Sequence, residues 1–312
     1  MRLSTFAGAL VAGLTLAAAP AGAVDWSAVP GKSINLFYPG QASWEWVLTP
    51  TEHSGAPVFK DGKNCAECHD IAGKSEAPAM GEKMVSGKKL EPTPMPGKAG
   101  ALVATVKMAH DADSFYVRIE FPNPPSVGEP MSPDDAKVTM MLSDGKVKEA
   151  DRAGCWVACH DDLATMASSP EGKAITKYLM RSRVKMTRQG GPEAKPAEEL
   201  QAMRADGQTL EYWQAALNPG KAAKPFEGYV LGSREFKRSQ TVTAEGQLEN
   251  GNWVVVLSRK LTAGANYKDI AAGRTYVVGF AIHGGHAARR YHWVSFEKTM
   301  MLDGGTADFV VK

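Results

Sequence analysis

The chain has 312 residues, of which 44% are apolar and 22% are charged, a composition typical of a globular protein rather than a disordered one. Its 36 lysines and arginines nearly balance its 34 aspartates and glutamates, so the formal net charge is only +2. Because no run of basic and aromatic residues accompanies this small charge, nucleic-acid binding is not expected.

Residues 1–23 have the organisation of a secretory signal peptide. Arg2 supplies the positive start, residues 6–19 form an apolar run, and small residues end the segment at Ala23. A transmembrane anchor is the alternative, but the run is shorter than the ~20 residues that a bilayer requires. We therefore expect cleavage after Ala23 and a mature domain of residues 24–312, without a membrane span, in the periplasm or outside the cell.

The first motif of the mature chain has two cysteines followed directly by a histidine. Cys65 and Cys68 precede His69 in the C-x-x-C-H arrangement, in which two thiols bind the haem vinyl groups and the histidine binds the iron. Upstream, His53 lies in a polar loop without an apolar pattern that would place it in a core. Because imidazole is a common axial group, His53 is our first candidate for a distal iron ligand. Met80, Met84 and Met166 are the methionine alternatives near the haem motifs.

Strand-like sequence follows. Residues 101–108 and 114–121 alternate between apolar and polar, and the Asp-rich turn between them predicts a hairpin in which His110 bonds to local backbone. Further strands are predicted at residues 137–142, 241–248, 253–257, 275–282, 292–296 and 308–311, and short helices at residues 173–183 and 196–205.

A second cysteine motif runs from Cys155 through Cys159 to His160. It repeats the first motif with one extra spacer residue, which the short turn between the two thiols can absorb. The two motifs use every cysteine of the chain, so we expect two covalently attached haem c groups. The predicted proximal ligands are His69 and His160.

Three histidines lie close together near the C-terminus: His283, His286 and His292. Glycines between them allow the backbone to approach a planar ring closely. We expect His286, and then His292, to serve as distal ligands. Arg289 and Arg290 either pair with haem propionates or form a solvated charged loop.

The cysteines also allow three other interpretations. A zinc site would need its ligands close together, yet strand-like sequence separates the pairs. A thioredoxin-type dithiol would need only one pair in a βαβ context. Two structural disulfides would each span few residues and would leave the adjacent histidines unexplained.

The element pattern predicts one mainly β domain, an antiparallel β-sandwich with short helical insertions and haem-bearing loops. From about Trp44 onward, the chain resembles the cytochrome c-552/DMSO-reductase-like haem-binding family, of the ethylbenzene dehydrogenase γ-subunit type. The segments that carry this resemblance are Glu52-His53-Ser54-Gly55, Gly62-Lys63-Asn64-Cys65, His110-Asp111 leading into Phe115-Tyr116-Val117-Arg118, Gly154-Cys155 with Cys159-His160, and Arg290-Tyr291-His292-Trp293-Val294-Ser295.

The resemblance implies a haem-binding sandwich used for electron transfer, in some members beside a molybdenum enzyme. It also implies non-covalent b-haem with methionine and lysine ligands in γ-subunits of that type, from which the two covalent motifs of this chain depart. Ligand identities are therefore not carried over.

Together these observations predict an exported dihaem c-type cytochrome that passes single electrons between redox protein partners and is not an enzyme. A molybdenum enzyme or a membrane cytochrome is a candidate partner. Histidine on both sides of each iron would leave no open coordination site, and would give lower potentials than methionine ligation. Two alternatives stay open: a haem enzyme or gas-binding protein with one open iron position, and a haem subunit of a molybdenum-containing reductase or dehydrogenase.

Overall fold

The computed structural model describes residues 24–71, 73–91, 94–154, 178–187, 191, 193–264 and 267–312. The predicted signal peptide, the second cysteine motif and residues 173–177 of a predicted helix lie outside these residues. The strands are β1 (Lys32–Phe37), β2 (Asp70–Ile71), β3 (Lys74–Ser75), β4 (Ala101–His110), β5 (Ser114–Pro122), β6 (Ala136–Ser143), β7 (Leu210–Leu217), β8 (Lys224–Val230), β9 (Arg234–Arg238), β10 (Thr243–Glu249), β11 (Asn252–Lys260), β12 (Tyr276–His283), β13 (Trp293–Ser295), β14 (Lys298–Leu302) and β15 (Phe309–Val311).

Short helices lie between these strands. They are α1 (Trp44–Val47), α2 (Ala56–Lys60), α3 (Ala66–His69), α4 (Ala77–Val85), α5 (Lys148–Ala153) and α6 (Ala197–Ala205), with a 3-10 turn at Met180–Ser182. In the part of the chain that the structure describes, no helix is long and apolar enough to cross a membrane.

Thirteen of the described strands form one sheet in the order β10-β11-β5-β4-β1-β13-β12-β6-β7-β8-β9, with β14 paired to β12 and to β15. The pairs are antiparallel except β14 with β15. The sequence pattern explains the central hairpin: Phe115, Val117, Ile119 and Phe121 of β5 are all at most 1% exposed, while the residues between them are partly solvated. This alternation buries one face of the strand, as predicted.

The sheet folds over on itself into two leaves. Phe115 of β5 meets Trp213 of β7 edge to face with ring centroids 5.9 Å apart, although the two strands are not neighbours in the sheet. The first leaf is β10, β11, β5 and β4, the second is β12, β6, β7 and β8, and the larger apolar core lies between them. The predicted antiparallel β-sandwich is therefore confirmed.

A second apolar cluster covers the outer face of the second leaf. Met141, Tyr212, Ala281 and Val294 project from successive strands of this face and pack against residues of the helices. The helical insertions thus bury the outer face of this leaf, and they bring the chemistry-bearing side chains onto it.

The eight predicted strands are present with shifted ends, and the helix predicted at residues 196–205 is α6. The described part of the segment at 173–183 holds only the 3-10 turn. Strands β1, β2, β3, β7, β8, β9 and β14 were not predicted.

Candidate functional site

A cavity of about 330 Å³ lies on the outer face beside helix α3 and is called the first cavity. Its size is within the range of small-molecule and cofactor sites. It is lined by Trp46, Val47, His53, Gly55, Val58, Phe59, Lys63, Asn64, Cys65, Cys68, His69, Glu76, Met80, Lys83, Met84, Lys89 and Phe296. The cavity therefore joins the first cysteine motif to His53, two residue groups that the sequence alone could not place together.

Hydrogen bonds hold the motif in one tight turn. The Cys65 N–H donates to the Arg152 carbonyl at 2.8 Å, and the His69 N–H donates to the Cys65 carbonyl at 2.9 Å. Asn64 and Glu67 exchange two side-chain to backbone hydrogen bonds of 2.8 Å across the helix start, in the manner of a capping box. Cys65 is buried and Cys68 is half-buried.

The His69 ring is fixed on two sides. Its Nδ1 lies 2.8 Å from Glu76 Oε2, and its ring stacks on Phe296 with centroids 5.9 Å apart and planes inclined by 12°. A histidine that donates from Nδ1 to a carboxylate carries its lone pair on Nε2, the arrangement that metal-binding histidines use. His69 is therefore oriented as an iron ligand.

The His53 ring is held in a similar way, in the loop between helices α1 and α2. Its Nδ1 lies 3.0 Å from the Val47 carbonyl, and its ring centroid lies 5.0 Å from that of Trp46. Burial lowers the pKa of the His53 imidazole below its usual value, which favours the neutral, ligating form.

The His53 and His69 rings lie with their centroids 6.1 Å apart. An imidazole nitrogen binds a transition-metal ion at about 2 Å, so two rings on opposite sides of one ion have centroids roughly 6 Å apart. Gly55 leaves room at this point, because a Cβ there would lie 3.1 Å from His53 Nε2. The separation and the missing side chain both fit an iron ion between the two rings.

The rest of the first cavity also fits haem c. Apolar side chains and the two cysteines line it together with three lysines, whose charges suit the two carboxylates of a haem. Met80 and Met84 line it too, so two of the three alternative sulfur ligands are at this cavity, whereas Met166 lies outside the described residues.

A second cavity, of about 460 Å³, lies over strands β6, β7 and β12 on the same outer face. His283 and His292 line it, but His286 does not. The Nδ1 of His286 lies 3.0 Å from the Ser132 carbonyl, and its Nε2 lies 3.4 Å from Asp135 Oδ1. The structure thus separates His286 from its two neighbouring histidines.

His110 lies in neither cavity. It ends strand β4, with Nδ1 3.0 Å from the Asp111 carbonyl and Nε2 2.9 Å from Asp303 Oδ1. These contacts match the interpretation of His110 as a turn residue bonded to local groups, and they add a side-chain contact to the distant Asp303.

Comparisons with known proteins identify the family. Cytochrome c-552 of Stutzerimonas stutzeri is 37% identical over 305 residues, which cover 96% of this chain and 95% of that protein. The chain belongs to the cytochrome c-552 family. Cytochrome c-551 of Rhodocyclus tenuis is 29% identical over 92% of this chain and 98% of that protein. The sequence model of ethylbenzene dehydrogenase matches residues 221–295, so the resemblance predicted from the sequence is confirmed.

Solved structures give a weaker likeness. A family 9 carbohydrate-binding module from Caldicellulosiruptor kristjanssonii in complex with glucose has a TM-score of 0.31 at 11% identity, over 62% of this chain and 66% of that one. The same organism's module in complex with cellotriose has a TM-score of 0.29 at 10% identity, over 63% and 65%. At these scores the likeness contributes nothing to the assignment of function.

One buried carboxyl of this protein, that of Glu297, was not recognised from the sequence as part of a site. Glu297 is 5% exposed, and its Oε1 accepts a 2.8 Å hydrogen bond from the Ala66 N–H in the first motif. Burial raises the pKa of the Glu297 carboxyl to about 8. No local pattern marks Glu297, because its partner lies 231 residues away in sequence.

Arg290 has neither of the two roles that the sequence suggested, a partner of a haem propionate or a member of a solvated loop. It is buried, and its Nη2 donates to Glu91 Oε1 at 3.1 Å, while its Nη1 contacts Glu91 Oε2 and the Tyr38 hydroxyl. Arg290 therefore neither points toward a haem carboxylate nor lies in a solvated loop; it anchors the histidine-rich segment to the body of the fold. Arg289 is exposed and lines the second cavity.

Proposed function

We propose that this chain is an exported dihaem c-type cytochrome that carries single electrons between redox partners. The observation that carries the proposal is the first cavity, where two histidine rings are spaced for one iron beside Cys65 and Cys68. Membership of the cytochrome c-552 family supports covalent haem c and electron transfer.

The residues of the first cavity have distinct roles. Haem iron, when bound, supplies the one-electron couple. Cys65 and Cys68 form the thioether tethers, His69 binds the iron as proximal ligand, and His53 binds it from the other side. Glu76 fixes the orientation of His69 through Nδ1. With both axial positions occupied by side chains, small molecules have no access to the metal, which suits a carrier rather than an enzyme.

The second haem is proposed from the sequence, since its motif lies outside the described residues. Cys155 and Cys159 are the proposed tethers and His160 the proposed proximal ligand. Residues 1–23 are the proposed signal peptide, which delivers the chain to the periplasm or beyond. An oxidising compartment is consistent with a chain whose cysteines are all committed to haem attachment.

The test uses the purified mature protein. A pyridine haemochrome assay should count two covalent haems per chain. EPR and near-infrared spectra should show low-spin ferric iron, and carbon monoxide should leave the spectrum of the reduced protein unchanged. A high-spin component, or a carbon monoxide shift in the wild type, would show an open iron and would replace the carrier with a haem enzyme or gas-binding protein.

Variants assign the distal ligand of the first haem. His53→Ala should open one iron to carbon monoxide without loss of haem. His110→Ala is the matched control, because His110 lies in neither cavity. If His53→Ala keeps the wild-type spectrum, the distal ligand is another group, and Met80 and Met84 are the next to test.

The match to ethylbenzene dehydrogenase over residues 221–295 favours one further candidate, a haem subunit of a molybdenum-containing enzyme. The redox partner would then be a permanent one. Purification from the native host at low salt separates the two cases: a molybdenum protein that co-elutes in constant ratio supports the subunit, and a monomeric cytochrome supports the free carrier.

A further inference from the structure

The two histidines of the first cavity have different groups behind their rings. Nδ1 of His69 lies 2.8 Å from a carboxylate oxygen of Glu76, whereas Nδ1 of His53 lies 3.0 Å from the backbone carbonyl of Val47. An ionised carboxylate has no proton to donate, so Nδ1 of His69 carries the proton of this hydrogen bond. One imidazole of the cavity is therefore backed by a negative charge, and the other by a neutral dipole.

The chain between His69 and Glu76 explains why the two residues meet. Strands β2 and β3 form a hairpin that pairs Asp70 with Ser75. Gly73 in its turn has φ +76°, a left-handed conformation that glycine adopts without the penalty of a Cβ. The hairpin turns the chain back, so that the Glu76 N–H donates to the His69 carbonyl at 2.8 Å. The two residues are thus joined through their backbones as well as their side chains.

Contacts outside the hairpin hold it in place. Nζ of Lys298 lies 2.6 Å from Oδ2 of Asp70, which ties the hairpin to strand β14. On the other side, Glu76 is the N-cap residue of helix α4, and its carbonyl accepts a 2.9 Å hydrogen bond from the Met80 N–H. The next residue, Ala77, is fully buried. The backbone of Glu76 is therefore fixed from both directions, and its carboxylate is preorganised beside the His69 ring.

A carboxylate at Nδ1 changes the ring as a ligand. It attracts the Nδ1 proton, which raises the electron density of the imidazole and makes Nε2 more basic. A more basic ligand favours ferric iron, which carries one more positive charge than ferrous iron, and so disfavours reduction. The carbonyl behind His53 has no net charge and forms the weaker kind of hydrogen bond. Hydrogen bonding to an axial ligand is one of the means by which a protein sets a haem potential.

We propose that Glu76 acts through His69 to lower the reduction potential of the first haem, which makes this haem a better electron donor. The inference rests on the proposed function, which places iron on His69. Glu76 is a positioning residue, because it touches the ligand and not the metal. Reduction adds one electron, supplied by the redox partner, to the iron, and the Nδ1 proton stays on the ring.

The exposure of Glu76 limits the size of the effect. Its side chain is 62% exposed, against 26% for His69, so water screens the carboxylate charge. Loss of the outer partner of a metal-binding histidine changes metal affinity by about 10- to 100-fold. Because of the screening we expect the lower end of this range. A tenfold change in a one-electron equilibrium corresponds to about 59 mV.

The test is a spectroelectrochemical titration of the purified mature protein. Glu76→Gln should raise one midpoint potential by about 59 mV, since the amide oxygen still accepts from Nδ1 but carries no charge. Glu52→Gln is the matched control. Glu52 is exposed and precedes His53, and it lies outside the lining of the first cavity, so its loss removes the same charge without touching His69. This control should keep the wild-type potentials, and both variants should keep the wild-type haem count and low-spin EPR spectrum.

Glu76→Asp separates the contact from the charge, because its carboxylate stays negative but is withdrawn by one methylene. It should also raise the potential, and it decides the question if Glu76→Gln does not fold. An unchanged potential in either Glu76 variant would overturn the inference, and so would equal shifts in Glu76→Gln and Glu52→Gln, which would show a general effect of charge. An unchanged haem count after replacement of both Cys65 and Cys68 by serine would instead refute the proposed function.

Discussion

Replacement of Gly55 by alanine tests the geometry of the first haem site most directly. The added Cβ would lie 3.0 Å from His53 Cε1 and 3.1 Å from Nε2. Unbonded carbon and nitrogen atoms prefer roughly 3.5–4 Å, so the ring must move by a few tenths of an ångström. Metal-ligand distances tolerate only about 0.2 Å. The substitution should therefore weaken the bond from His53 to iron while leaving the residue in place.

The magnitude follows from comparable perturbations. Displacing a metal ligand through its neighbours costs about 10- to 100-fold in metal binding, or roughly 1.4–2.8 kcal/mol. Gly55 has φ −73° and ψ −4°, a backbone conformation that alanine adopts without strain. Alanine there should stabilise the fold slightly by restricting the unfolded chain, so a loss of ligation cannot be attributed to unfolding.

Carbon monoxide provides the assay, because it competes with His53 for the reduced iron. In Gly55→Ala, the apparent carbon monoxide affinity of one haem should rise by the same 10- to 100-fold. Ser54→Ala is the matched control, since Ser54 is exposed and adjacent in sequence. A Gly55→Ala protein that folds normally and has the carbon monoxide affinity of the wild type would refute the placement of iron between His53 and His69.

Three further outcomes are expected. Changing both Cys65 and Cys68 to serine should lower the haem count by one per chain in the haemochrome assay; an unchanged count would contradict their role as tethers. Because the folded pKa of Glu297 is about 8, above the ordinary 4.5, the protonated carboxyl is favoured in the fold. The unfolding free energy should then be highest below about pH 4.5 and should fall by roughly 3–5 kcal/mol as the pH rises to 8. Glu297→Gln should flatten this pH dependence in denaturant titrations. A slope that persists in this variant would contradict the assignment of the pH dependence to Glu297. Glu91→Leu leaves the buried Arg290 guanidinium without its carboxylate and should cost about 3–5 kcal/mol in denaturant unfolding; a loss under about 1 kcal/mol would contradict the buried pair.

The predicted strands include both alternating ones, such as β5, and nearly fully buried apolar ones, such as β6 and β12. Strand β5 alternates strictly, so its period of two could be read directly. Strand β7 also has seven of its eight residues buried, but Glu211 and Gln214 interrupt its apolar run, so neither alternation nor a continuous apolar run marks it. Strand β9 was missed because four of its five residues are exposed, and the strand forms an edge of the sheet. Periodicity gives no signal when both faces have the same environment.

The residues of the candidate site also differ in whether the sequence alone could predict them. The Cys65 motif could be predicted because the spacing of its ligands is local. The residues that support it could not: Phe296 stacks on His69 only after strand β13 has been placed beside β1. The choice among the C-terminal histidines also depends on tertiary contacts, because all three lie within ten residues and local sequence treats them alike.

Strand β13 accounts for the joint placement of both sites. His292 precedes the strand and lines the second cavity, while Phe296 follows it and lines the first. Its Val294 pairs with Ala281 of β12, which is also part of the wall of the second cavity. A central strand of a sandwich is among the most rigid elements of a fold, so it holds the two cavities at a fixed separation.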